Sequence, residues 1–142
     1  MSTRLKIKEE KIYKILTSLS EESLNGTPII VEGKKDVIAL RMFGVKGIII
    51  TVKTKGKSFL DVISEIQKTN VSEIILFLDF DKRGKEATKC LQKNLEHLKI
   101  RYNLSFWREL YNLTRKELQY IESLPVYLGN IHKKIFKKYN TV

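Results

Sequence analysis

Ile74-Ile75-Leu76-Phe77-Leu78-Asp79-Phe80-Asp81-Lys82-Arg83-Gly84 joins an unbroken apolar run of strand length to two acids spaced two apart, and then to a glycine. Such a run suits a strand covered on both faces, the condition of an inner strand in a parallel sheet. Residues two apart on an extended chain point to the same side, so Asp79 and Asp81 can converge while Phe80 turns into the protein. Upstream, Ile29-Ile30-Val31 is a second short β-branched run, and it too ends in an acid and a glycine, Glu32-Gly33. Gly47-Ile48-Ile49-Ile50-Thr51-Val52 is a third strand and Ile100 to Leu104 a fourth.

Helical patterns separate these runs. Leu5, Ile12, Ile15, Leu16 and Leu19 mark an amphipathic helix from residue 4 to about 20, which Asn25-Gly26-Thr27-Pro28 ends. A helix follows from about Lys35 to Phe43, and Phe59, Val62, Ile63 and Ile66 give the buried stripe of the next. Ala87, Cys90, Leu91, Leu95 and Leu98 give the stripe of a longer one, which makes Cys90 a buried, inert thiol. Shorter helical patterns lie around Phe106 to Leu113 and Thr114 to Ile121, and Leu124, Tyr127, Leu128, Ile131 and Ile135 share a further face. Strands alternating with helices specify an α/β fold of about four mainly parallel strands flanked by helices, with extra N- and C-terminal helices. The expected organisation is a single domain over 1–142, with an N-terminal helix over 1–26, a core over 27–104 and a basic helical extension over 105–142.

Composition removes several function classes. At 142 residues, 42% hydrophobic and 30% charged, the chain is ordinary globular material. No apolar run nears the ~20 residues of a membrane helix. The basic N-terminus has no signal-peptide character, and Cys90 is the only cysteine. A cytoplasmic protein without disulfides is expected. With two histidines besides, a structural zinc site is excluded, and any metal should be a hard ion held by oxygen.

The net charge of +11 favours a polyanionic partner, and it is unevenly placed. Residues 1–81 carry 13 basic and 11 acidic side chains, a net +2, while residues 82–142 carry 14 and 5, a net +9. In that second part Tyr102, Phe106, Trp107, Tyr111, Tyr120, Tyr127, Phe136 and Tyr139 lie among the cations, a mixture that can follow phosphates and stack bases. The same mixture also arises from amphipathic helices with aromatic cores.

Ligands of open parallel sheets bind beyond the carboxyl ends of the strands, where Glu32, Asp79 and Asp81 all fall. Each acid could simply cap the helix that follows it. Gathered together they repel one another unless a cation intervenes, and Mg²⁺ suits oxygen ligands of this kind. Gly33 and Gly84 would allow close approach of a phosphate. Lys34, Lys35, Lys82, Arg83 and Lys85 flank the acids, and a cation at a helix N-terminus opposes the helix dipole, so stability does not explain Lys82, Arg83 and Lys85. A haloacid-dehalogenase reading of Asp79-Phe80-Asp81 fails because no Asp follows Asp81. A P-loop reading of Gly56-Lys57-Ser58 fails because Thr51 stands where the pattern needs glycine.

Glu32-Gly33-Lys34-Lys35-Asp36 and Asp79-Phe80-Asp81-Lys82-Arg83-Gly84, 47 residues apart from Glu32 to Asp79, resemble the two motifs of the Toprim domain. The first motif, continued through Val37-Ile38-Ala39-Leu40, is especially similar to bacterial-type primases and to the nucleases that mature 5S ribosomal RNA. Ile121-Glu122-Ser123-Leu124-Pro125 resembles small stand-alone Toprim-like proteins of archaea. The resemblance implies a Toprim, Rossmann-like core with a Mg²⁺ site, for which Mn²⁺ can substitute. In it Asp79 and Asp81 bind metal, Glu32 acts as general acid or base or as a further ligand, and Asp36 supports them. It also implies work on phosphodiester bonds, with hydrolysis of nucleic acid as the leading expectation and RNA slightly preferred over DNA. A non-catalytic nucleic-acid-binding module or a subunit of an RNA-processing complex is the alternative, and a primase-like nucleotidyl transferase the third. No membrane association is expected.

Overall fold

A computed structural model describes residues 2–53 and 56–140, apart from the side chains of residues 2 and 138–140, so Tyr139 lies outside the described side chains. Four strands, β1 (Ile29–Val31), β2 (Ile49–Thr51), β3 (Glu73–Leu76) and β4 (Arg101–Asn103), form one sheet in the order β2-β1-β3-β4. All three pairings are parallel, with Ile30 of β1 opposite both Ile50 and Leu76. The order matters for function: β1 and β3 are neighbours, so the acids that follow each of them emerge side by side.

Six helices surround the sheet: α1 (Ser2–Leu24), α2 (Lys34–Met42), α3 (Phe59–Lys68), α4 (Lys82–His97), α5 (Ser105–Thr114) and α6 (Leu124–Asn140). The alternation of side chains along a strand divides the core in two. Ile29, Val31, Ile75 and Phe77 face α1, α2, α5 and α6, where Leu19, Leu40, Leu110 and Leu128 meet them. Ile30, Ile74, Leu76 and Leu78 face α3 and α4, against Val62, Ile66, Leu91 and Leu95. Both faces of β1, and of β3 from Ile74 onward, are therefore dry, which is why those stretches are continuously apolar. No helix among the described residues is long and apolar enough to cross a membrane.

Two expectations are corrected. Cys90 is exposed, as is Leu98. The buried line of α4 runs through Gly84, Thr88, Leu91 and Leu95, with the Thr88 hydroxyl donating to the Gly84 carbonyl at 2.8 Å. A small polar residue that satisfies itself within the helix can take a core position, and this rotates the stripe away from Cys90. The segment from Thr114 to Ile121 is not a helix either. Single 3-10 turns at Arg115–Glu117 and Ile121–Ser123 flank an extended stretch, in which the Gln119 carbonyl accepts the N–H of Phe80 at 2.7 Å. Leu118 and Ile121 are buried, and their spacing of three had the look of helical periodicity.

Helix α5 is fastened to the end of the central strand by Trp107, whose indole N–H donates to the Leu78 carbonyl at 2.8 Å. Trp107 also packs on Phe80, with ring centroids 5.3 Å apart. Replacing Trp107 with Phe keeps most of the packing and removes the donor from a carbonyl beside the fully buried Leu78. The Trp107→Phe protein should lose about 1–3 kcal/mol in urea unfolding followed by circular dichroism, while still unfolding in one cooperative step.

Candidate metal centre

Glu32 is the first residue after β1, and Asp79 follows β3 by three residues, both at the carboxyl edge of the sheet. Each is only 7% exposed, while Asp81 is half-buried. One ligand oxygen from each of Glu32, Asp79 and Asp81 lies within 4.8 Å of the others. The trio named from sequence is thus brought together. Asp81 also caps α4, accepting the Gly84 N–H at 2.8 Å, so capping and clustering coexist in one side chain.

Asp36 stands behind the trio, 5% exposed. It accepts the Gly33 N–H at 3.0 Å, closing the first turn of α2, and the Glu122 N–H at 2.9 Å. Asp79 in turn accepts the Ile121 N–H at 2.8 Å. The 3-10 turn at Ile121–Ser123 therefore lays two successive backbone donors over two buried carboxylates. Sequence reasoning singled out this stretch as a resemblance but gave it no place in the site, because backbone donors leave no side-chain signature. Lys53 was also missed. It follows β2 by two residues, donates its backbone N–H to the Glu32 carbonyl at 2.7 Å, and pairs its ammonium with Glu32 Oε2 at 3.1 Å. Its signal was position, since β2 lies beside β1.

The charge balance remains negative. Glu32 Oε1 is buried with no hydrogen-bond partner among the described residues. Burial pushes the Asp79 carboxyl up to about 7; the Ile121 N–H opposes this, and the charges of Asp36 and Glu32 and a side-chain hydrogen bond with Glu32 add to the rise. Burial likewise raises Asp36, against its two backbone donors. Two facing carboxylates can share a hydrogen bond only with a proton between them. A proton or a cation would relieve this crowding of negative charge, and a divalent metal is one way to do so. The donors are all oxygen, as a hard ion requires, and opposite ligands of one Mg²⁺ stand about 4.2 Å apart, so small side-chain adjustments would suffice.

A cleft of about 530 Å³ opens at Glu32 and Asp79, lined also by Lys34, Lys35, Lys53 and Glu122 among others. Lys34 and Lys35 thus border the acids from the start of α2. Lys82 and Lys85 line a different cleft, beyond Asp81, and Arg83 is exposed and lines neither. A further cleft of about 540 Å³ between α1 and α5 holds a single carboxylate, Glu109. Among the aromatics, Phe106, Trp107, Tyr111 and Tyr127 pack against the core, whereas Tyr120 and Phe136 are exposed.

The two glycines differ. A Cβ on Gly33 would meet nothing within 4 Å, so approach from the cleft is open there. A Cβ on Gly84 would stand 2.2 Å from the Asp79 carbonyl oxygen. Gly84 is thus needed for α4 to pack against the turn that carries the acids, rather than for a phosphate.

A Toprim domain model matches residues 26–103. The chain belongs to the Toprim domain family. It is 34% identical to a UPF0292 protein of Methanocaldococcus jannaschii over 89% of this chain and 94% of that one. It is 31% identical to a UPF0292 protein of Methanosarcina acetivorans over 88% and 85% of the two chains. A solved structure from Aquifex aeolicus shares the fold, with a TM-score of 0.67 at 24% identity over 78% of this chain and 94% of that one. Toprim domains bind divalent metals and are associated with nucleic acid, and the acidic trio stands where its two motifs meet.

Two outcomes are expected. Because the folded chain holds the Asp79 proton more tightly than an unfolded one, whose carboxyl titrates near the ordinary 3.8, the associated stability is full below about pH 4 and fades as pH rises through about 7. In EDTA the wild-type melting temperature should therefore fall between pH 5 and 8 more steeply than that of Asp79→Asn. Mg²⁺ at a hundred times its Kd should add about 2.7 kcal/mol to the wild type alone. Gly84→Ala should cost about 1–3 kcal/mol and diminish that Mg²⁺-dependent gain, as read by thermal unfolding with and without the ion.

Proposed function

We propose that this Toprim protein is a Mg²⁺-dependent nuclease that hydrolyses phosphodiester bonds, with RNA the preferred substrate and DNA the second. The observation that carries the reading is that Glu32, which clusters with Asp79 and Asp81, buries an Oε1 that has no hydrogen-bond partner among the described residues. A purely structural cluster would be neutralised within the protein. Among the described residues, only Glu32 Oε2 has a cationic partner here, Lys53.

Asp79 and Asp81 would hold the metal, with Glu32 at its side. When bound, the ion supplies a Lewis acid that polarises a phosphoryl oxygen and offsets the charge that builds up there. Lys53 fixes Glu32 through Oε2 and leaves Oε1 able to take a proton from an attacking water or return one to the leaving oxygen. The N–H groups of Ile121 and Glu122 hold Asp79 and Asp36 in place, so their carboxylates need little reorganisation as charge develops. Lys34 and Lys35, with Gly33 open between them and Glu32, would draw the substrate phosphate against its repulsion from the acids. The RNA preference rests on the similarity of the first motif to the RNA-maturing members of the family.

The test is incubation of the purified chain with end-labelled single-stranded and structured RNA and DNA in Mg²⁺, Mn²⁺ or EDTA. Cleavage should require metal, and Glu32→Gln and Asp79→Asn should each reduce its rate by at least ~100-fold. Metal-dependent cleavage that survives both substitutions removes the trio from the chemistry. Tight binding at ~0.1 M salt without cleavage of any substrate makes the chain a nucleic-acid-binding module instead.

A further inference from the structure

A second cleft, of about 350 Å³, lies on the far side of Asp81. One wall is the first turn of α4, with Lys82 and Lys85, and the other is the 3-10 turn after α5, with Arg115 and Lys116. We propose that this cleft is a second phosphate track, which holds the nucleic-acid backbone next to the nucleotide positioned at the carboxylates. The proposal rests on the nuclease reading for the identity of the polyanion.

Charge is the first argument. Four cations line the cleft with one carboxylate, Asp81, one of whose oxygens already accepts the Gly84 N–H. None of the four stands in an ion pair with a carboxylate of the described residues. Lys82 and Lys85 sit in the first turn of a helix of 16 residues, where the dipole disfavours cations. An anion entering the cleft would offset that cost.

Both walls are fixed in advance. Lys85 donates to the Tyr111 hydroxyl at 3.3 Å, with its ammonium 4.6 Å from the centre of that ring. Arg115 holds a φ of 50° and a ψ of −127°, a backbone conformation that side-chain-bearing residues rarely adopt. The turn that imposes it is clamped two residues on. Glu117 accepts the Tyr127 hydroxyl at 2.6 Å and the Lys8 ammonium at 3.1 Å, so its charge is committed away from the cleft. The Lys85 ammonium, held in place before the ligand arrives, loses less freedom on binding, and the fixed turn sets where the Arg115 and Lys116 side chains begin.

Continuity supplies the last argument. Asp81 belongs both to the carboxylate trio and to the lining of this cleft. A strand with a phosphate at the trio can continue past Asp81 directly between Lys82 and Arg115.

The test is fluorescence anisotropy with a short labelled single strand, in EDTA, over a series of salt concentrations. Arg115→Ala/Lys116→Ala should bind at least ~10-fold more weakly at ~0.1 M salt, and its slope of log K against log salt should be shallower by about 1.4, two phosphates' worth. Lys82→Ala/Lys85→Ala, from the other wall, should do the same. Lys46→Ala/Lys68→Ala removes two exposed cations at the opposite end of the strands and should leave affinity and slope unchanged. Melting temperatures within about 2 °C of wild type show that the variants are folded. Groove variants that retain the wild-type slope overturn the proposal, as does an equal loss in the Lys46/Lys68 control or a wild type that binds no strand. Because EDTA prevents hydrolysis, a groove that binds in a chain that cleaves nothing sinks the nuclease reading alone, and cleavage with an unaltered slope sinks the groove alone.

Discussion

Two carboxylates from neighbouring strands share a pocket that offers them too little positive charge, and the rest of the molecule is arranged around that constraint. The order β2-β1-β3 makes Glu32 and Asp79 adjacent, and the dry faces of those strands draw both into a low-dielectric setting. What the described residues supply to these two in compensation is specific and partial: the Lys53 ammonium for Glu32 and the Ile121 N–H for Asp79. The shortfall at Glu32 Oε1 keeps the site receptive to a cation, and full internal neutralisation would close it.

The segment between α5 and α6 has two duties that follow from one geometry. Its extended residues place the Gln119 carbonyl on the N–H of Phe80, which aligns the following N–H groups with the acids. Its first turn holds Arg115 and Lys116 beside the start of α4. The positive charge that sequence counting assigned to the second part of the chain is thus divided. Some of it, with Lys34 and Lys35 from the first part, borders clefts at the acids, while Lys89 and Lys93 are simply exposed on α4.

The core strands and the acidic trio were legible because each depends on a short, local pattern: an apolar run, then an acid, then a glycine. Strand boundaries differed by a residue or two, as expected where a sheet ends in loops. Other features escaped because their signals are non-local or ambiguous. Lys53 acts through strand adjacency. Ile121 and Glu122 act through backbone atoms that every residue has. Leu118 and Ile121 fit helical spacing although their segment is held extended by partners some 40 residues earlier in the chain, Asp79 and Phe80. On α4, Thr88 took a core position that a hydrophobicity pattern assigns to an apolar residue, and Cys90 was placed inside as a result.

The bonds that complete the acidic pocket span 42 residues from Asp79 to Ile121 and 86 from Asp36 to Glu122. Contacts of such separation close loops at least comparable in length to the one that the β1–β3 pairing closes between Ile29 and Ile75. A chain emerging from the ribosome presents all of its acids before it can make the turn that orders them. The pocket's backbone donors thus become available only once residues 121 and 122 have been synthesised, so the acids exist for a time without the turn that orders them.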